Sequence, residues 1–185
     1  MKHFDFLKNL DVLCDTNIFI DLVTSTHLKK PLKKFLKDLK ATGAFFHYSS
    51  YSIFELFRGQ PKKLVDDYRQ IIIDFDPFDV NENILIKASE LMTLYKHHHL
   101  VSDASTSKKN PKMIDDGDYI LAATSFWYQN TVILTRNYSD FPRPFFIEKH
   151  KEYVEYEKEG KKVLEVYYVL EPDKKYADKI YEIIN

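Results

Sequence analysis

The chemistry of this chain is carried by acids set at the ends of its elements. Asp118 opens a small-residue helix, Asp118-Tyr-Ile-Leu-Ala-Ala-Thr124, and ten residues on the chain reads Leu134-Thr-Arg-Asn-Tyr-Ser-Asp-Phe141, an apolar strand ending in a polar turn. Near the N-terminus Asp15 and Asn17 occupy a matching strand-to-helix turn, and Glu55 is expected at the start of a third helix. Ligands of parallel α/β sheets bind just beyond the carboxyl ends of the strands, which is where Asp15, Glu55, Asp118 and Asp140 would meet. Carboxylates gathered within a few ångströms repel one another and call for a cation. An oxygen-only donor set favours Mg²⁺ or Mn²⁺. Such a site suits phosphodiester hydrolysis, with metal activating a water and stabilising the attacking and leaving oxygens, and with Asn17 and Asn137 orienting the acids that hold it.

Taken singly, each residue has a plainer role. Asp15 could cap a helix, and Glu55 stands three residues after Ser52 as in a capping box. Asp115, Asp116 and Asp118 are acids that a helix N-terminus favours, and Asn137 and Asp140 are ordinary turn residues. Asp115 or Asp116 is either an extra metal ligand or, the reading favoured here, part of the helix cap. The order and spacing of the set carries the argument.

The elements that must position these residues follow from periodicity. Short apolar runs at 12–14, 44–48, 74–80 and 131–134 read as strands, with a fifth at 145–147. Helical spacing covers 18–23, 28–39, 49–57, 62–73, 81–97 and 115–128. Alternation of the two predicts a parallel α/β sheet with helices on both faces. Residues 98–113 are polar and predict a loop; residues 152–157 and 162–170 alternate as a hairpin, and a short helix opens after Pro172.

Four segments together resemble the PIN domain: Leu13-Cys-Asp-Thr-Asn-Ile-Phe-Ile-Asp21, Ser49 through Glu55-Leu-Phe-Arg-Gly59, Asp118 through Thr124, and Leu134 through Phe141. Within that family they are most similar to VapC-type ribonuclease toxins, over roughly residues 10–147. The resemblance implies a three-layer α/β/α sandwich whose Mg²⁺- or Mn²⁺-dependent site cleaves single-stranded RNA by water attack, leaving a 3′-hydroxyl and a 5′-phosphate. It places the catalytic acids at Asp15, Glu55, Asp118 and Asp140, with Asn17, Thr135 and Asn137 as polar neighbours. It also implies a homodimer and a cognate antitoxin that silences the site. The chain then divides into a PIN-like nuclease domain, residues 1–150, and a hairpin-helix extension, residues 151–185, packed on it. That extension and the long 98–113 loop depart from compact toxins. They keep open a second reading, a catalytically silent scaffold that binds protein or RNA. A structure-specific DNA nuclease ranks third.

Composition bounds these readings. At 185 residues, 44% of them hydrophobic, the chain suits one globular domain. A net charge of -1 excludes wholesale polyanion binding, so RNA contact must be local. Lys108, Lys109 and Lys112 stand just before the Asp118 helix and could hold a backbone. Arg136 and Arg143 could contact a phosphate or pair with acids. Lys29, Lys30, Lys33, Lys34 and Lys37 read as a solvated helix face or, second, as a phosphate-contacting patch. His97, His98 and His99 are consecutive and so do not share a helix face, which makes them a poor metal site. Trp127 is expected in the core or a dimer interface. Cys14 is the only cysteine, which excludes an intrachain disulfide and fits a reducing cytoplasm. Neither a signal peptide nor a membrane span is expected.

Overall fold

The computed structural model describes residues 5–98 and 114–185. The expected loop at 98–113 falls outside them but for His98, which caps a helix. Lys108, Lys109 and Lys112 also lie outside the described residues.

The sheet begins with β1 (Asp11–Cys14), whose Val-Leu-Cys run is buried on both faces. It pairs in parallel with β2 (Phe45–Ser49) on one side and β4 (Thr131–Thr135) on the other. β3 (Asp76–Phe78) extends β2 in parallel at the edge, where Pro77 is tolerated. The first four strands are therefore parallel, as expected.

Beyond β4 the sheet changes sense. β5 (Phe146–Lys158) and β6 (Lys161–Pro172) form a long hairpin, and β6 pairs antiparallel with β4, giving the order β3-β2-β1-β4-β6-β5. Glu159 and Gly160 make the two-residue turn, both at positive φ (54° and 73°), the left-handed conformation such a turn requires. The separate fifth strand expected at 145–147 and the first hairpin strand prove to be one element, which runs through residue 150. The sequence pattern breaks there because Glu148 and His150 flank a register shift. A bulge displaces the alternation without ending the strand.

Helices cover both faces. On one side α1 (Thr16–Thr24), α2 (Lys29–Lys40), α3 (Ser50–Phe57) and α4 (Lys62–Ile72) pack Phe19, Leu32, Leu56 and Tyr68 against Val12, Cys14, Val132 and Leu134. On the other, α5 (Glu82–His97), α6 (Asp116–Trp127) and α7 (Lys174–Ile184) pack Leu91, Ala122 and Ile180 against Leu13 and Ile133. The result is a three-layer α/β/α sandwich. The lysines of α2 are exposed. Trp127 ends α6 with 45% of its surface exposed, which excludes the core of its two expected places, core or dimer interface. Thr124, Ser125 and Phe126 of the last turn stay buried, and Trp127 at its end turns to solvent.

Ile133 is fully buried at the centre of β4. Ile133→Ala should lower unfolding stability by about 2–5 kcal/mol, read by urea denaturation.

Candidate active site

The strand ends and helix starts deliver acids to one rim. Asp15 follows β1 directly, and its backbone N–H donates to Leu134 O (3.0 Å), continuing the β1–β4 ladder by one residue. Thr135 ends β4. α6 leads into β4 by a short turn and so runs against the strand direction, which puts its first turn, with Asp118, at the carboxyl rim.

Asp15 is 7% exposed and stands at the N-cap of α1, yet its side chain makes no cap bond. Its carboxylate instead accepts from Thr135 Oγ1 at 2.6 Å and from Asn17 Nδ2. Thr135, fully buried, accepts in turn from the Asn137 N–H (2.9 Å) and Asn17 Nδ2 (3.2 Å). Asn17 Oδ1 takes the Arg136 N–H at 3.1 Å. Asn17, Thr135 and Asn137 thus tie the turn after β4 to the turn after β1. Asn137 Nδ2 also donates to Asp140, which lies in a short 3₁₀ turn over Tyr138–Asp140.

Glu55 is placed differently from expectation. α3 begins at Ser50 and is capped by Ser49, whose hydroxyl accepts from the Tyr51 N–H at 3.3 Å. Ser52 is inside the helix, so no capping box forms, and Glu55 falls in the second turn rather than the first. Its carboxylate accepts from Thr16 Oγ1 at 2.5 Å. Asp115 caps α6, accepting from the Gly117 N–H at 3.0 Å, while Asp116 is exposed in the first turn.

The electrostatics report the convergence. The Asp118 carboxyl is pushed from its ordinary 3.8 up to about 8, first by burial and then by the charges of Asp15, Asp140, Asp115 and Glu55. Burial lifts Asp15 to about 6 with help from Glu55, against the bonds from Thr135, Asn17 and Thr16. Burial also raises Glu55, with Asp115 adding and Thr16 and Arg58 opposing. This oxygen-only set under mutual repulsion suits a hard divalent cation in donor chemistry. Among the described residues, however, no three His, Cys, Asp or Glu groups stand at the spacing of a formed metal shell.

Two features escaped the sequence. A Cβ on Gly117 would lie 2.5 Å from Glu55 Oε1 and 3.0 Å from the Tyr51 ring, so glycine is what lets α6 close on α3. Its signal was visible as the lone glycine among the acids of that helix start. The other is Asp21, 4% exposed, which accepts from Arg136 Nη1 at 2.6 Å and from the fully buried Tyr167 hydroxyl at 3.0 Å. Glu165 stands 3.9 Å from Arg136 Nε. Arg136, expected near a phosphate or an acid, is engaged by these two acids and not by the rim carboxylates. His98 Nδ1 lies 2.5 Å from Tyr95 O and its ring stacks on Tyr95, a helix end.

No family model matches the chain, and no curated protein matches it. Among solved structures, it is similar to a chain of the crystal structure of VapBC2 from Rickettsia felis bound to a DNA fragment from their promoter. The likeness covers 69% of this chain and 89% of that one, at 16% identity and a TM-score of 0.54. At that identity it speaks to fold: the chain has a PIN-like α/β/α fold.

Between its unfolded value of 3.8 and about 8, the folded chain holds a proton on Asp118 that the unfolded chain has lost. Stability of the metal-free protein therefore falls as pH rises across that window. The melting temperature should rise by several degrees from pH 8.5 to about 5.5, and Asp118→Asn should remove most of that gain.

Proposed function

We propose that this chain is a metal-dependent endoribonuclease, a VapC-like toxin hydrolysing phosphodiester bonds of single-stranded RNA. One observation carries the reading: Asp118 is gathered with Asp15, Asp140, Asp115 and Glu55 at the carboxyl rim of a parallel sheet, where burial and their charges push its carboxyl up to about 8. Similarity in fold to a chain of a VapBC complex supports it. So do the four motif segments in order.

Asp15, Glu55, Asp118 and Asp140 would hold Mg²⁺ or Mn²⁺. A bound divalent ion supplies acidity to a water and countercharge to the phosphate. The chain's own residues do the positioning. Thr135 and Asn17 fix the Asp15 carboxylate, Thr16 fixes Glu55, and Asn137 fixes Asp140. Water adds to phosphorus, the 3′-oxygen departs and takes a proton, and a 5′-phosphate remains. On this reading the protein is a cytoplasmic homodimer paired with an antitoxin. Among the described residues no helix is long and apolar enough to cross a membrane.

The test is cleavage of a mixed pool of structured and unstructured RNAs with Mg²⁺, Mn²⁺ or EDTA, beside Asp15→Asn. Cleavage should need metal and vanish in the variant. Activity that survives Asp15→Asn would sink the site assignment, and a folded protein inert under every condition would favour the silent scaffold. Gly117→Ala should cut the rate on the order of a hundredfold by displacing Glu55, with little change in circular dichroism.

A further inference from the structure

The hairpin brings a second set of groups to the site's flank. Strand register lines up a row across the rim: Asp15 beside Thr135, Thr135 opposite Tyr168, and Tyr168 opposite Lys151. Directly opposed residues share a face, so Tyr168 and Lys151 continue the site outward, Lys151 about 10 Å beyond Thr135 at two strand spacings.

A hollow of about 430 Å³ opens there, between Asn137, Tyr138 and Ser139 of the site turn and Glu148, Lys151 and Tyr168 of the hairpin. The Lys151 ammonium sits over the Tyr168 ring, 5.1 Å from its centre. Among the described residues it pairs with no carboxylate. Its neighbours differ: Lys149 pairs with Glu171, Lys162 with Glu155, and Arg136 with Asp21. Tyr138 stands 5.7 Å from Tyr168, ring to ring, and is anchored by its hydroxyl on Phe146 O at 3.1 Å. A spare cation and two aromatic rings in a polar hollow match a ribonucleotide unit, with the cation facing phosphate and the rings offering faces to a base.

We propose that this hollow binds a nucleotide flanking the scissile bond of single-stranded RNA, with Lys151 on its phosphate and Tyr168 and Tyr138 against its base. This rests on the ribonuclease reading. It assigns the C-terminal hairpin to substrate binding.

The test is anisotropy binding of a fluorescein-labelled single-stranded RNA to the Asp15→Asn chain across a salt series. Lys151→Gln should weaken binding and lower the slope of log affinity against log salt by about 0.7, the share of one phosphate contact on a single strand. Lys151→Arg should restore the slope, and Lys158→Gln at the hairpin tip should leave it unchanged. Tyr168→Leu should weaken binding of the RNA about fivefold to a hundredfold, and of an abasic oligomer far less. An unchanged slope in Lys151→Gln overturns the subsite, and so does an equal loss in Lys158→Gln. Metal-dependent cleavage by the parent chain, followed in parallel, keeps the nuclease reading standing in those cases. A parent chain that neither binds nor cuts RNA overturns both.

Discussion

Like-charge repulsion in a poorly solvated rim is the constraint on which the arrangement turns. Four carboxylates are brought there by topology: two by the ends of neighbouring strands, one by a helix that runs back toward the rim, and one by α3. In water such a cluster would disperse. Here hydrogen bonds from Thr135, Asn17, Thr16 and Asn137 hold three of the four in place. Bonds to charged groups are worth about 1.5–3 kcal/mol each, enough to oppose repulsion damped by partial exposure. Asp118 has burial and four acidic neighbours acting on it, which push its carboxyl up to about 8. A proton on Asp118 relieves the rim below about pH 8, and a divalent cation would relieve it with the acids ionised.

A second set of charges keeps the turn after β4 where the acids need it. Arg136 lies between Asn17, which takes its backbone N–H, and Asp21, which takes its guanidinium. Tyr167, from the hairpin, donates to the same Asp21 carboxylate. Burial raises Asp21, while Arg136 and Tyr167 pull it back down, so the pair offsets its own desolvation and adds little net stability. What it fixes is position. α1, the β4 turn and β6 meet at one carboxylate, which couples the C-terminal hairpin mechanically to the motif residues.

Most of the frame was legible in the sequence because strong local signals agreed. Apolar runs such as Val12-Leu13-Cys14 and Val132-Ile133-Leu134 could be little else than central strands, and helices with apolar spacing had to cover them. The acids were legible as a set because each sits at an element boundary. What failed to read was long-range or atomic. Glu55 looked like half of a capping box because Ser52 and Glu55 have the right spacing, yet Ser49 already caps α3. For Arg136 the sequence left phosphate contact and pairing with an acid equally open, because Asp21, 115 residues away, gave no sign of being its partner. The break at residue 150 looked like a gap between elements and is a bulge inside one strand.

The hairpin also settles a problem of sheet edges. Without β6, β4 would be an edge strand with unpaired N–H and C=O groups beside the turn that carries Asn137 and Asp140. Pairing Ile133, Leu134 and Thr135 with Leu170, Val169 and Tyr168 removes that edge. It also fixes the register of the last residue before the turn. The same antiparallel register that stabilises β4 necessarily sets Tyr168 opposite Thr135 and Lys151 opposite Tyr168. A one-residue slip would turn both side chains to the other face. Structural support of the site and the placing of a cation beside it are thus one geometric fact, read along a single row of the sheet.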